Sequence, residues 1–145
     1  MIDNALFNIK IGDWNSLLQD AKLIRTQVFV EEQQIPETEE WDAHDAISQH
    51  FMMYHDAQPI ATARLLQNRS IGRVAVLKPY RGLNIGNKMM QAIIDYAKQQ
   101  DFPDLKLSAQ VYATGFYARL GFQQRGEIYD DCGIPHIEMF LSLSE

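Results

Sequence analysis

Residues 71–91, IGRVAVLKPYRGLNIGNKMMQ, read as a strand that runs through a tight glycine turn into a helix. Ile71, Val74, Val76 and Leu77 put bulky apolar side chains on both faces of the run, which predicts a strand buried on both sides. Pro79 is expected to end it, since proline has no N–H for a central ladder. After Arg81, Gly82, Leu83, Asn84, Ile85 and Gly86 a helical pattern begins. Ile85, Met89, Ile93 and Ala97 form one stripe, with Met90, Ile94 and Tyr96 beside it.

The turn has a chemistry of its own. The first N–H groups of a helix have no partner inside it, and the helix dipole adds partial positive charge there. Such a start is an anion site suited to phosphate. Gly82 and Gly86 are expected to relax the backbone and let a ligand approach closely. Two familiar phosphate loops do not fit. A Walker loop needs four residues between its glycines and then Lys-Ser or Lys-Thr, whereas three separate Gly82 from Gly86 and Asn87, Lys88 and Met89 follow. The three-glycine dinucleotide fingerprint occurs nowhere in the chain.

Residues 81–86 instead resemble the pyrophosphate loop of the GNAT superfamily of acyl-CoA N-acyltransferases, patterned Q/R-x-x-G-x-G/A. Arg81 and Gly86 match its ends, and Asn84 stands at the usual middle glycine. Asn tolerates left-handed angles best after Gly. A second block, LKLSAQVYATGFYARLGF at 105–122, is similar to the family's strand, gap and short helix. The usual N-x-x-A-x-x-x-Y appears there as Gln110, Ala113 and Tyr117. RTQVFVEEQQIP, ARL, IGRVAV and the tail through 140 extend the likeness to the ElaA-like group.

This resemblance implies a GNAT-type α/β fold: a mixed, mostly antiparallel twisted sheet with helices on both faces, opened between the central strand and the one after its helix. It implies an acetyl-CoA-dependent N-acetyltransferase in which an amine attacks the thioester directly in a ternary complex. The loop amides from Arg81 through Gly86 would hold the coenzyme A pyrophosphate. The backbone of Val74, Ala75 and Val76 would pair with pantetheine like an added strand. Gln110 would neighbour the pantetheine arm, and Tyr117 would be the acid that assists the departing thiolate. Tyr117 also reads as a core aromatic with Phe116 and Phe122.

A general base is harder to find. The start of the central strand offers Arg69, Ser70 and Arg73, none of them basic at neutral pH in the required sense. Glu32 and His136 remain as acceptor-side candidates, with His50 behind them, and a water chain to solvent would also serve. Two rival readings stay open: a non-catalytic acyl-CoA sensor, and an ATP-binding protein that uses the same glycine turn.

Composition bounds the rest. The 145 residues are 46% hydrophobic and 22% charged, which suits a single domain over 1–145. The net charge of −6 argues against a nucleic-acid surface. It mildly favours a cationic amine as acceptor. One cysteine, Cys132, excludes an internal disulfide and suits a cytoplasmic setting. No run approaches the roughly eighteen apolar residues of a membrane span. The four histidines match no zinc spacing, so no metal is expected. A homodimer is left open.

In chain order, 5–11 reads as a strand and 14–33 as a helix with a break near Phe29 and Val30. The acidic run 36–45, PETEEWDAHD, is either a solvated loop or a substrate-approach loop. Strands at 48–54 and 59–67 form a hairpin that leads into the central strand. A right-handed parallel crossover spans 71–109. A short helix at 113–120 follows, then strands at 122–129 and 136–143 joined across 130–135.

Overall fold

The computed structural model describes residues 7–36 and 42–143. One seven-stranded sheet carries the chain, ordered β1-β2-β3-β4-β5-β7-β6. Its strands are β1 (Phe7–Gly12), β2 (Gln49–His55), β3 (Gln58–Leu65), β4 (Ser70–Val76), β5 (Asp104–Gln110), β6 (Gln123–Asp131) and β7 (Ile134–Ser142). Every neighbouring pair is antiparallel except β4 and β5, which are parallel across a helical crossover. This is the mixed, mostly antiparallel sheet expected.

Helices cover both faces. In α1 (Trp14–Arg25) the Asp13 carboxylate caps the start by accepting from the Ser16 N–H at 2.9 Å. Leu17, Ala21 and Ile24 recur at helical spacing and pack with Met52, Tyr54, Ala75 and Leu77. On the opposite face, α2 (Ile85–Gln99) buries Ile85, Met89, Met90, Ile93, Ile94 and Ala97 against Phe51, Ala63, Ile71, Leu105 and Met139. A short α3 (Thr114–Arg119) joins that second core through Phe116 and Tyr117.

Four local expectations need correction. The helix expected over 14–33 is α-helical only to Arg25; Thr26–Glu32 is a π-helix, closed by Gln33 N–H to Val28 O and Ile35 N–H to Phe29 O. Wider turns of this kind collect at functional sites. β4 is not buried on both sides: only Ile71 and Ala75 are fully covered, because the sheet opens beside it. It also ends at Val76, before Pro79, which lies in a 3-10 turn, Lys78–Tyr80. The last hairpin turns at Cys132 and Gly133, both left-handed (φ 53° and 80°), so its strands run further into 130–135 than the pattern suggested, one to Asp131 and the other from Ile134.

The acidic run departs most. Residues 37–41 lie outside the described part. Asp45 is 2% exposed, and its carboxylate accepts from Arg25 at 2.7 and 3.2 Å and from Arg64 at 2.9 Å. Asp42 takes two further bonds from Arg64, at 2.7 and 3.0 Å. A solvated loop does not describe these two residues: buried arginines on α1 and β3 need carboxylates, and this segment supplies them.

Candidate functional site

The site is built around a failure of pairing. β4 and β5 are registered at Ser70↔Lys106 and Ile71↔Leu107; beyond these two pairs the strands part. A β-bulge helps to turn β4 away. Arg64 faces Gly72 and Thr62 faces Ala75, so Arg73 and Val74 together oppose the single Ala63, and Arg73 takes φ 52°. The bulge sends Ala75 to the α1 face and Val74 and Val76 toward the α2 face. Val74, Ala75 and Val76 therefore line one side of an open fork with backbone that β5 does not reach.

The fork leads to the glycine turn. Gly82 has φ 80°, and a Cβ there would meet nothing within 4 Å. Asn84 occupies the left-handed region, with φ 67° and ψ 17°, as its residue type allows. Leu83 is exposed, and Ile85 turns inward to anchor the helix. Gly86 has a different reason to be glycine: a Cβ would stand 3.3 Å from the Phe116 ring, so α2 and α3 are in close contact there. No side chain caps the start of α2, which leaves its first N–H groups and dipole to the space beyond Gly82. These features fit a phosphate-bearing group whose arm lies along the fork.

The two arms of the fork are bridged by the end of the π-helix. Arg81 donates through Nη1 and Nη2 to the two Glu32 carboxylate oxygens, each at 2.9 Å, and through Nε to the Val76 carbonyl at 2.9 Å. One residue on, the Gln33 side-chain carbonyl accepts from Gln110 Nε2 at 2.9 Å. Gln110 ends β5 and faces His136 across the β5–β7 ladder. The structure thus gathers Glu32, Arg81, Val76, Gln110 and His136 round one opening.

His136 is 8% exposed, and its Nδ1 donates to the Ile134 carbonyl at 2.8 Å. In the neutral ring this leaves Nε2 with its lone pair. The ring stacks on Tyr129, whose centroid is 6.1 Å away. Glu32, by contrast, has both oxygens engaged by Arg81. His50 belongs to the core: its Nε2 meets the Asp45 carbonyl at 2.8 Å, its ring lies against Trp14, and burial lowers its pKa.

Tyr117 stands apart from that group. Its ring packs at 5.0 Å from Phe116 and 6.0 Å from Phe122, and no hydrogen bond joins it to Glu32 or His136 among the described residues. Burial, with a smaller effect of Tyr112, pushes its phenol up to about 12. It therefore stays protonated, as a donor, throughout the neutral range. Cys132 is exposed in the β6–β7 turn, four residues from His136. No group of three metal-ligating side chains occurs among the described residues.

Sequence reasoning missed Gln33, Tyr129 and Gly72. The first two carry no local signal, since the fork brings them in from distant elements. Gly72 did carry one: a glycine inside a strand marks a bulge or a close approach. At the apex of the fork, beside Gly72, is a cavity of about 310 Å³.

The family model described as "Acetyltransferase (GNAT) domain" matches residues 17–143. YyaT of Bacillus subtilis (strain 168) is 34% identical over 143 residues, covering 94% of this chain and 97% of its own. An acyl-CoA N-acyltransferase from Pseudomonas aeruginosa superposes with a TM-score of 0.85 at 30% identity, covering 94% and 99% of the two chains. Escherichia coli ElaA does so with a TM-score of 0.85 at 26% identity and the same coverage.

Proposed function

Because the chain belongs to the GNAT acetyltransferase family, whose members bind acyl-CoA and an acceptor amine, we propose that it transfers an acetyl group from acetyl-CoA to a primary amine by direct attack in a ternary complex. The observation that carries this reading is the β4–β5 fork opening onto the uncapped start of α2. In it, amides from Arg81 through Gly86 hold the pyrophosphate, and the backbone of Val74, Ala75 and Val76 holds the pantetheine arm as a strand. The arm then runs back along β4 from Val76 toward Gly72, and its reactive end arrives at the apex of the fork. Gln110 and Gln33 close the side of the channel.

Positioning supplies most of the rate in such a complex. The chain adds two polar contributions. Tyr117 stands as a donor toward the departing sulfur. A phenol at about 12 is a poor proton source for a thiol near 8.5, so its part is hydrogen-bond stabilisation of the thiolate. His136 offers the free Nε2, which makes it the better of the two acceptor-side bases; Glu32 is committed to Arg81. The absence of a long apolar helix among the described residues fits a cytoplasmic enzyme.

Thermal unfolding tests the cofactor half. Acetyl-CoA at a hundred times its dissociation constant should add about 2.7 kcal/mol, a rise of several degrees, and ATP should add nothing. Gly82→Glu puts a side chain into open space against the phosphate at a left-handed position, so it should abolish the rise while costing the unliganded protein only about 1–2 kcal/mol of backbone strain. No rise at millimolar acetyl-CoA in the unmutated chain would end the reading. Tyr117→Phe tests the chemical half: kcat should fall about a hundredfold with the acetyl-CoA rise intact. Turnover without loss would return Tyr117 to the core, and thiol release with no amine in a broad panel would favour a sensor.

A further inference from the structure

The cavity at the fork apex is polar in an unbalanced way. Arg64, Ser70, Lys106, Ser108, Tyr129 and Glu138 contribute its polar groups, around Ile71, Gly72 and Leu107. Most are already matched. The Ser108 and Tyr129 hydroxyls bond each other. Glu138 is held by Arg125 from the edge strand. The terminal nitrogens of Arg64 are spent on Asp42 and Asp45.

Beside the Ser70 hydroxyl, two donors are left. Arg64 is 5% exposed, yet its Nε–H has no hydrogen-bond partner among the described residues. A buried guanidinium N–H without an acceptor loses its hydration and gains nothing in return, so a native structure retains one where something else completes it. Lys106, half-buried across the cavity, has no ion pair among the described residues. Both unmatched groups are cationic donors.

Gly72 makes the first of them reachable. Its φ lies outside the left-handed region, so the backbone does not demand glycine there; the strained residue is its neighbour Arg73. What the missing side chain leaves is space. A Cβ at 72 would lie 3.8 Å from Arg64 Nε, with no other heavy atom of the surroundings within 4 Å. The hydrogen atom at 72 opens a window from the cavity onto the orphaned N–H.

We propose that this cavity is the acceptor's anion pocket, and that the acceptor amine carries a carboxylate which accepts from Arg64 Nε–H and Lys106. The proposal rests on the transferase reading above and names its substrate class: an amino acid, in place of the purely cationic amine that the net charge suggests. The placement is consistent with transfer. The cavity is lined by the last paired residues of the fork, Ser70, Ile71, Lys106 and Leu107, and the first unpaired ones, Gly72 and Ser108. A carboxylate anchored there leaves the amine pointing up the fork, toward where the thioester end would lie. At about 310 Å³ the cavity suits a small molecule and is too small for a folded partner.

The test uses the full chain with saturating acetyl-CoA and two amine series. One runs from glycine through β-alanine to 6-aminohexanoate; the other contains the alkylamines and diamines of matching length. At least one amino acid should exceed its matched alkylamine tenfold or more in kcat/KM. In Gly72→Ala and in Lys106→Met that ratio should collapse toward one. Alanine at 72 makes only ordinary contacts, and methionine at 106 keeps most of the side-chain length, so both variants should fold. Thermal unfolding of the same samples with the preferred amino acid alone should show a stabilisation that both variants lose. Alkylamines or diamines equal to or better than the amino acids, or no stabilisation by any amino acid, would overturn the proposal. Failure of acetyl-CoA itself to stabilise would remove the transferase reading, while an amino-acid shift lost in both variants would still report the pocket.

Discussion

Two arginine–carboxylate forks of nearly the same drawing flank β4. At its start, Arg25 grips Asp45 at 2.7 and 3.2 Å, with Arg64 adding a third bond; at its end, Arg81 grips Glu32 at 2.9 and 2.9 Å. The difference is water. The Arg25 and Asp45 side chains are 1% and 3% exposed, those of Arg81 and Glu32 41% and 36%. In the first case neither partner can be removed without stranding a buried charge. In the second, solvent stands ready to replace either one. The closed end of the fork is fixed, and its open end is held by a contact that a phosphate can compete for at small cost.

The largest effect that could break this contrast is at Asp45. Asp45→Ala leaves two buried guanidinium groups short of an acceptor and should cost about 3–5 kcal/mol in denaturant unfolding. A loss below 1 kcal/mol would mean that the buried fork is no stronger than the exposed one.

Asp42 is intermediate, about a third exposed, and it sharpens the contrast through pH. Hydrogen bonds from Arg64, opposed by burial and aided by the charges of Arg64 and Arg73, hold its carboxyl down at about 2. A folded pKa below the unfolded value gives a stabilisation that is complete above about pH 4 and lost as pH falls toward 2. Asp42→Asn should remove on the order of 1 kcal/mol at neutral pH, after allowance for solvent screening, and flatten the acid limb of stability between pH 4 and 2. An unchanged acid limb would assign that limb to other carboxylates.

Glu32 should do least. Glu32→Gln should change stability by less than about 1 kcal/mol. It should leave acetyl-CoA affinity equal or higher, because Arg81 keeps its bond to Val76 and loses a competitor. A large drop in affinity, measured by titration calorimetry, would show that Glu32 orients Arg81 for its ligand.

These forks also mark where the sequence could be read and where it could not. The strand–turn–helix at 71–91, the parallel crossover and the left-handed Asn84 were legible because each is written locally, in apolar spacing and in residues that tolerate unusual angles. The buried Asp45 was not. Its surroundings in the chain are acidic and polar, and only the fold brings Arg25 and Arg64 to it. The π-helix was hidden for a related reason: Val28 and Phe29 would be buried in an α-helix too, so the apolar stripe does not distinguish them. Gly72 was legible in principle, since a glycine inside a strand marks a bulge or a close approach. Its partner, the orphaned Arg64 N–H, was not.

The parting of β4 from β5 has a consequence for how the protein behaves in company. A sheet normally has two edges, here β1 and β6, but the fork gives this one two more, in its middle. An open edge is a template for any extended chain, including another copy of the same molecule, and natural sheets blunt such edges with bulges and charges. Both devices are present on β4: the bulge at Arg73 twists it, and the Arg81 guanidinium occupies the Val76 carbonyl. They cover only part of the strand. The rest stays open to pairing, so a ligand lying in the slot would also cover the edge and act as a chaperone of its own binding site.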